Sequence, residues 1–320
     1  MSLIDVKELT ITYPDGTVAV EKISFSLEKG EIIGVIGESG SGKSTLGLAM
    51  MKLFPEGTKI SGEIVFQEKN IIDLSETDLE QIRGKEIGMV FQDTLTSLDP
   101  LIRIGKQIVE RPVRDRKMTY SEAFPKAIEI MQDLGVTQPQ TRMVAYPHEL
   151  SGGLRQRAFI TMTLFQDPKV LIFDEPTTSL DVVAQSQFVM LLKKLREQGF
   201  SMIFITHDIL LASSFCDKIL IMYSSKMMEY GATDLIIGKP SHPYTKGLLE
   251  ATPRISDIDR QLKPMKGFIP NPKEAPSGCR FWPRCDYAKD ICKTEEPKEV
   301  VLDDNRRSYC NFAEEVVKLE

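Results

Sequence analysis

The sequence EIIGVIGESGSGKST, residues 31–45, decides the fold of this chain. Its first half is a short apolar run that ends in glycine, which is typical of a buried strand. The second half fits the pattern G-x-x-x-x-G-K-[ST] at every fixed position. Residues 44–54 are then apolar nearly all round and predict a helix. A glycine-rich loop between a strand and a helix predicts a phosphate-binding loop in an α/β fold.

The chemistry of phosphate binding requires these residue types. Glycines let the backbone wrap closely around phosphates, so that successive amide N–H groups point at negative charge, and the following helix adds its positive end. We expect Lys43 to reach the β- and γ-phosphates, Ser44 to complete the ligand shell of Mg²⁺, and Thr45 to support the loop. A chance match in a chain of this length has a probability of about 1%. The residues predicted to bind nucleotide here are Gly37, Ser39, Gly40, Ser41, Gly42, Lys43, Ser44 and Thr45.

The rest of the chain predicts a strand-rich start, a helical insertion and a separate tail. Residues 3–13 and 18–30 alternate in the manner of strands and flank a turn. The stretch from about 93 to 147 has helical spacing and predicts a helical subdomain inserted into the core. Beyond it, helices alternate with continuous apolar strands, which predicts a largely parallel sheet covered on both faces. We therefore predict one domain over residues 1–235 and an extension over residues 236–320.

Composition excludes several classes of protein. Apolar residues make up 42% and charged residues 27% of the chain, as in ordinary globular proteins. The net charge, 40 − 46 = −6, comes without a long block of one sign, which argues against a nucleic-acid surface. No apolar run is long enough to span a bilayer, and the N-terminus does not resemble a secretory signal. We expect a cytoplasmic protein, and any membrane role would have to come from partners.

The cysteines are unevenly distributed. Four of the five lie in the last 42 residues, and in a reducing cytosol such a cluster favours a metal site over disulfides. Zinc accepts four thiolates, although structural zinc sites usually contain C-x₂₋₄-C pairs, which this segment lacks. A small packed core of free thiols is a further alternative. Cys216 stands apart and is expected to be a buried core thiol.

Two further motifs follow the phosphate loop in a characteristic order. LSGG at residues 150–153 precedes a helix, and VLIFDEP at residues 170–176 is an apolar run that ends in two carboxylates. Alone, the first is an ordinary helix start and the second an exposed turn. Together they resemble the ABC ATPase family over about residues 3–235. This resemblance implies an α/β, P-loop ABC-type nucleotide-binding domain with an antiparallel β subdomain, a helical insertion and a small C-terminal cysteine-containing extension.

The resemblance to ABC ATPases assigns roles to the residues around the nucleotide. It implies that Asp174 holds Mg²⁺ together with Ser44, and that Glu175 polarises the attacking water. Gln92 matches the glutamine that senses the γ-phosphate, borders the helical subdomain and contributes to the Mg²⁺ site. The predicted catalytic residues are therefore Glu175, His207, Gln92 and Lys43, with His207 matching the histidine that holds the γ-phosphate and the water.

The remaining matches concern the second subunit and the base. In this family two ATPase subunits pack head to tail, and the signature of one, here Ser151, Gly152 and Gly153, meets ATP on the other. Ser179-Leu180-Asp181 matches the loop that crosses between subunits, with Asp181 near the nucleotide. Tyr13 matches the aromatic residue that stacks on adenine. Leu154 departs from the glutamine of many members, so we expect an active enzyme with an altered ribose contact.

Three stretches resemble the oligopeptide and dipeptide importer subfamily more narrowly. They are residues 170–183, 242–254 and 278–287. The resemblance implies a [4Fe–4S] cluster on the four clustered cysteines, whose spacing is C-x5-C-x6-C-x17-C, in preference to zinc. The subfamily imports dipeptides and longer peptides, and also nickel or oligosaccharides. The predicted cluster ligands are Cys279, Cys285, Cys292 and Cys310, within the segment 279–310.

The resemblance to peptide importers also implies partners. We expect a second, homologous ATPase subunit, as a heterodimer by preference or a homodimer, with two transmembrane permease subunits and indirectly a substrate-binding protein. The protein would lie at the cytoplasmic side of the membrane, without nucleic acid. A soluble ABC ATPase of DNA repair or translation is the alternative. Members of the family in DNA repair carry long coiled-coil insertions, whereas the insertion here has only about 55 residues. Members in translation carry two ATPase cassettes, whereas this sequence contains one set of motifs.

Overall fold

The structure, a computed structural model, contains two compact units. The first is formed by residues 1–74 and 203–320, and the second by residues 75–202. The residues that the structure describes are 2–92, 97–115, 117–178, 180–253, 264–302 and 305–318.

The strands of the described residues fall mainly in the first unit. In chain order they are β1 (Ser2–Thr12), β2 (Val18–Glu28), β3 (Ile32–Ile36), β4 (Lys59–Phe66), β5 (Lys69–Asn70), β6 (Ile87–Val90), β7 (Val170–Asp174), β8 (Ser201–Thr206), β9 (Lys218–Tyr223), β10 (Lys226–Ala232), β11 (Val300–Val301) and β12 (Arg307–Ser308).

Helices occur in both units. In chain order they are α1 (Lys43–Ala49), α2 (Glu76–Ile82), α3 (Ile104–Arg114), α4 (Tyr120–Asp133), α5 (Pro139–Met143), α6 (Gly152–Leu164), α7 (Val182–Glu197), α8 (Ile209–Ser213), α9 (Thr233–Gly238), α10 (Pro243–Ala251), α11 (Asp290–Thr294) and α12 (Ala313–Val316). No helix among the described residues is long and apolar enough to cross a membrane.

The first unit contains two sheets. One is antiparallel with strand order β2-β1-β4-β5, which provides the predicted antiparallel β subdomain. The other runs in the order β11-β12-β10-β9-β3-β8. Within it β3 pairs in parallel with β9, whereas β10 pairs antiparallel with β9 and with β12. Every residue of β3 and β8 is buried, because strands of this kind are covered on both faces.

The second unit combines a parallel strand pair with helices. β6 and β7 pair in register from Ile87 opposite Val170, and both strands are buried throughout. The predicted helical insertion corresponds to α3, α4 and α5, although its first residues, 93–96, lie outside the described part of the chain. Gly135 follows α4 with a φ of 72°, the left-handed conformation that ends many helices.

The helix after the phosphate loop is shorter than the apolar run predicts. α1 ends at Ala49, and the chain turns at Lys52, whose φ is 48°. The N–H of Leu53 then donates to the carbonyl of Leu48 at 3.1 Å, which closes the turn in the way that is common at helix ends. Apolar residues beyond the turn, such as Leu53, are partly buried without being helical.

Cys216 is buried, with 6% of its surface exposed, as predicted for a core thiol. The predicted boundary between residues 1–235 and 236–320 stays a prediction. Strand β12 of the predicted extension pairs with β10, which precedes the boundary.

Candidate functional site

The phosphate loop joins buried strand β3 to helix α1 in the first unit. Gly42 caps the helix with a φ of 100°, and Lys43 is its first residue. A Cβ on Gly42 would lie 2.1 Å from the carbonyl oxygen of Ala19, and one on Gly37 would lie 2.2 Å from that of Met222. Both distances are impossible for a side chain, so these two glycines are required by close backbone packing.

Lys43 is almost fully buried beneath this loop, with 3% of its surface exposed. Its ammonium Nζ donates a hydrogen bond to the carbonyl oxygen of Glu38 at 3.0 Å. A buried ammonium needs polar or anionic partners, since charge transferred from water without them is strongly unfavourable. Ser39 and Gly40 lie exposed at the surface of the loop, while Ser41 is buried. The loop thus presents backbone and a fixed cation, the groups that bind a polyphosphate.

Tyr13 and Thr45, which the sequence links to the nucleotide, lie together. The Tyr13 hydroxyl and the Thr45 hydroxyl are 3.0 Å apart and form a hydrogen bond. Tyr13 follows β1 and is half-buried, so its ring is held at the start of the helix while part of it stays accessible. Stacking on adenine remains a prediction.

His207 lies directly after buried strand β8 and is exposed. The next residue, Asp208, caps α8: its carboxylate accepts from the N–H of Leu211 at 2.9 Å, and its own N–H donates to the Thr206 hydroxyl at 3.1 Å. These bonds fix the backbone on the C-terminal side of His207. An exposed imidazole on a fixed turn is suited to contact a phosphate.

The paired carboxylates lie at the end of β7 in the second unit. Asp174 is its last residue and is 6% exposed, whereas Glu175 begins the turn with a φ of 44°. The Thr178 hydroxyl lies 3.1 Å from the carbonyl and also from carboxylate Oε2 of Glu175, so it can donate to either. The two neighbouring carboxylates therefore differ in environment: Asp174 is buried and Glu175 is half-buried and oriented by a hydroxyl.

The LSGG motif forms the start of α6 in the same unit. Ser151 is the N-cap and accepts from the N–H of Leu154 at 3.4 Å. Ser151 and Gly152 are exposed, and Gly153 is half-buried, so this helix start is accessible. Buried Gln156 donates from Nε2 to the carbonyl oxygen of Pro176 at 2.6 Å, which ties the signature helix to the turn that carries the paired carboxylates. Sequence reasoning missed Gln156.

Two predicted residues lie next to parts of the chain that are not described. Gln92 follows β6 and is exposed, but residues 93–96 lie outside the described residues, as does Ser179. Asp181 caps α7, where its carboxylate accepts from the N–H of Ala184 at 2.8 Å. The structure thus gives Asp181 a role as helix cap, and its predicted place near the nucleotide stays a prediction.

The structure joins Glu38 of the phosphate loop to residues near the C-terminus. Arg284 makes two hydrogen bonds to the Glu38 carboxylate, 2.6 Å to Oε2 and 3.0 Å to Oε1. The Glu38 N–H donates to the hydroxyl of Tyr244 at 3.1 Å. Neither contact was predicted, because no local pattern marks them.

The four clustered cysteines line one small, mainly apolar cavity in the first unit. Its walls include Phe281, Trp282 and Phe312, and the N–H of Cys279 donates to the carbonyl of Cys292 at 2.9 Å. We call residues 278–292, with three of the four thiols, the cysteine segment. The lining cysteines are Cys279, Cys285, Cys292 and Cys310.

Burial disfavours the thiolate form of some of these cysteines. It raises the pKa of Cys285 to about 11 and that of Cys310 to about 12. Across the described residues, no group of three or more His, Cys, Asp or Glu side chains is arranged to hold a metal ion. The shared cavity nevertheless brings together four thiol donors of the kind that iron–sulfur clusters use.

Two known families match the chain. One, described as "ABC transporter", matches residues 20–178. The other, described as "Oligopeptide/dipeptide transporter, C-terminal region", matches residues 228–292 and so includes three of the cysteines.

Several proteins are similar over nearly the whole chain. The oligopeptide transport ATP-binding protein OppD of Escherichia coli is 41% identical over 99% of this chain and 95% of its own length. OppD of Bacillus subtilis is 42% identical over 92% of this chain and 84% of its own length. The dipeptide transport ATP-binding protein DppD of E. coli is 38% identical over 98% of this chain and 97% of its own length.

Solved structures match most of the chain as well. CbiO1 of Clostridium perfringens, part of the ABC transporter complex cbiONQ, aligns with a TM-score of 0.66 at 29% identity, covering 74% of this chain and 91% of its own. The dimeric ATP-binding cassette MJ0796, in a post-hydrolysis state bound to ADP and Pi, aligns with a TM-score of 0.64 at 27% identity, covering 72% and 98%. These neighbours confirm the predicted fold class.

Proposed function

Since this chain belongs to the family of ATP-binding proteins of oligopeptide and dipeptide ABC transporters, we propose that it binds and hydrolyses ATP to power the import of short peptides. The observation that carries this proposal is that two separate parts of the chain, residues 20–178 and 228–292, match transporter families. The first part contains the phosphate loop and the LSGG motif, which are the motifs of an ATPase. The second part matches a region named for oligopeptide and dipeptide transporters.

Catalysis would rest on positioning and electrostatics. Lys43 and the amides of the phosphate loop would bind the β- and γ-phosphates. The Ser44 hydroxyl and the Asp174 carboxylate would supply oxygen ligands, which Mg²⁺ prefers, and the ion would neutralise charge on the phosphates. Glu175 would orient the attacking water, and Gln92 and His207 would contact the γ-phosphate.

A second ATPase subunit would complete each site. The accessible start of α6, with Ser151 and Gly153, would meet ATP on the phosphate loop of the partner, and Asp181 would lie in the loop that crosses between subunits. We propose a heterodimer with a related ATPase, attached to two permease subunits at the cytoplasmic side of the membrane. A separate substrate-binding protein would select the peptide. The similarity of the solved dimeric cassette supports dimerisation.

The cysteine-bearing tail would form an extension to the ATPase domain, with a division near residue 235. We propose that Cys279, Cys285, Cys292 and Cys310 hold a [4Fe–4S] cluster, because all four line one cavity and match the spacing of the subfamily. Binding requires the thiols to lose their protons, and the raised pKa values of Cys285 and Cys310 oppose this until iron is present.

Peptide uptake tests the proposed function. In cells that lack this chain, the wild-type chain is expected to restore uptake of a labelled tripeptide, and Lys43→Ala is expected to restore none, because the buried ammonium that neutralises phosphate is lost. Uptake is measured over minutes with the labelled peptide, and nickel and a labelled oligosaccharide are measured in parallel.

The exposed Lys7 provides the matched control, since its ion pair with Glu63 lies at the surface. Lys7→Ala is expected to restore peptide uptake fully. Restoration of nickel or oligosaccharide uptake without tripeptide uptake would contradict the proposed cargo. Equal uptake with Lys43→Ala and wild type would contradict the role of ATP.

Anaerobic purification tests the cluster. We expect broad absorbance near 400 nm, with about four irons and four sulfides per chain. Cys292→Ser is expected to lose the absorbance and most of the iron, because one of four ligands is removed, whereas Cys216→Ser outside the cavity is expected to keep both. Zinc in place of iron, or no metal in the wild type, would exclude the cluster without affecting the ATPase assignment.

A further inference from the structure

Glu38 is a carboxylate in the loop that would bind the triphosphate. Negative charge at that point opposes the binding of a polyanion unless a cation neutralises it. The guanidinium of Arg284 does so with two parallel hydrogen bonds, 2.6 and 3.0 Å long. Bidentate pairs of this kind are stronger and more directional than a single ion pair.

The position of Arg284 is itself fixed. It is 8% exposed, its Nε donates to the carbonyl of Lys266 at 2.8 Å, and its guanidinium lies 5.6 Å from the centre of the Tyr223 ring. It also sits next to Cys285 in the short turn of the cysteine segment, where its N–H donates to the carbonyl of Phe281 at 3.0 Å. The guanidinium of Arg284 is therefore held beside Glu38 as long as the cysteine segment is folded.

The backbone of Glu38 is held on both sides. Its N–H donates to the hydroxyl of Tyr244, which is fully buried against the rings of Tyr223 and Phe281. Its carbonyl accepts from the Lys43 ammonium at 3.0 Å. One residue of the phosphate loop thus connects the C-terminal aromatic cluster with the lysine that would bind the phosphates.

We propose that Arg284 and Tyr244 are positioning residues for ATP binding. They fix Glu38 by its carboxylate and its N–H, so that the loop holds Lys43 and its amides in a geometry that fits a triphosphate. They act through Glu38 and not on the nucleotide. ATP affinity therefore depends on the folded cysteine segment. The proposal rests on the proposed function only in requiring that the chain bind ATP.

Equilibrium ATP binding to the full-length chain, and the kinetics of ATP hydrolysis in the assembled transporter, test this proposal. Arg284→Gln is expected to weaken ATP binding about tenfold or more, because an unneutralised carboxylate then lies in the loop that would bind the phosphates. The KM for ATP should rise in parallel, while kcat at saturating ATP stays close to that of the wild type. Arg284→Lys keeps the positive charge but cannot form the two parallel hydrogen bonds, so its ATP affinity should lie between those of the wild type and Arg284→Gln.

A double variant separates positioning from a merely structural role. Glu38→Gln with Arg284→Gln removes both charges and is expected to bind ATP more tightly than Arg284→Gln alone. If Arg284 only stabilised the fold, the double variant would bind no better than the single one, which would overturn the proposal. Arg280→Gln is the matched control, since Arg280 lies in the same segment but pairs with Glu21 and should keep normal ATP affinity.

Tyr244→Phe provides an independent test that deletes a single oxygen atom. It is expected to weaken ATP binding several-fold, because the hydrogen bond from the Glu38 N–H is lost. The effect on thermal stability should be smaller than the effect on ATP binding. Tyr230→Phe removes the hydroxyl of another buried tyrosine, which donates to Ser26 at 3.1 Å, and should bind ATP normally. Wild-type affinity in both Arg284→Gln and Tyr244→Phe would overturn the positioning role. A wild-type chain that binds no ATP would instead overturn the proposed function.

Discussion

Replacing Glu175 by glutamine is expected to slow ATP hydrolysis by about 10²–10⁴-fold while ATP still binds. Glutamine has nearly the same shape but cannot accept a proton from water. The Thr178 hydroxyl, 3.1 Å from Oε2, would hold the new side chain in the same orientation, so that the change tests chemistry and not geometry. Phosphate release by the assembled transporter measures the rate, and equilibrium binding measures ATP affinity.

The matched control for Glu175 is Glu197→Gln, at the exposed end of α7. This variant should hydrolyse ATP at the wild-type rate. Hydrolysis by Glu175→Gln at more than about a tenth of the wild-type rate would assign the water-orienting role to another group.

Replacing Arg306 by methionine is expected to lower the free energy of unfolding of the first unit by about 3–5 kcal/mol. Arg306 is 2% exposed, and its Nη1 lies 3.6 Å from Oε1 of the fully buried Glu229. Without Arg306 the carboxylate keeps hydrogen bonds from Ser241 and His242 but loses the guanidinium. Burial already raises the pKa of Glu229, so loss of the cation leaves a charge that the interior does not stabilise.

Urea unfolding measures the effect of Arg306→Met. The double variant Glu229→Met with Arg306→Met is expected to be more stable than Arg306→Met alone, since it leaves no unpaired buried charge. Lys7→Met breaks an exposed ion pair and should cost less than about 1 kcal/mol. If Arg306→Met is no less stable than Lys7→Met, the buried pair does not stabilise this unit.

The sequence predicts those features that depend on neighbouring residues. The phosphate loop is readable because its glycines and lysine are contiguous, and because only glycine can occupy positions such as Gly37, where the backbone of Met222 approaches. Ser151 is readable as a helix start, because a cap acts within three residues of itself. The continuous apolar runs of β3, β7 and β8 likewise indicate buried strands.

Long-range polar contacts could not be predicted in the same way. Glu38 meets Tyr244 and Arg284 across separations of 206 and 246 residues. Apolar periodicity indicates which face of an element is buried but not which side chain it meets. Glu229 illustrates the limit further, because it lies in a strand of apolar residues and is fully buried, although glutamate is usually exposed.

The cysteine-bearing tail also bears on the solubility of the chain. Glu229 and Tyr230 of β10 pair with Ser308 and Arg307 of β12, and β11 lies beyond. A chain cut before these short strands would leave the outer edge of β10 with unsatisfied N–H and C=O groups along a row of mostly apolar residues. Such an edge recruits strands from other molecules and leads to aggregation. Strands β11 and β12 therefore cover the edge of β10 and prevent it from pairing with strands of other molecules.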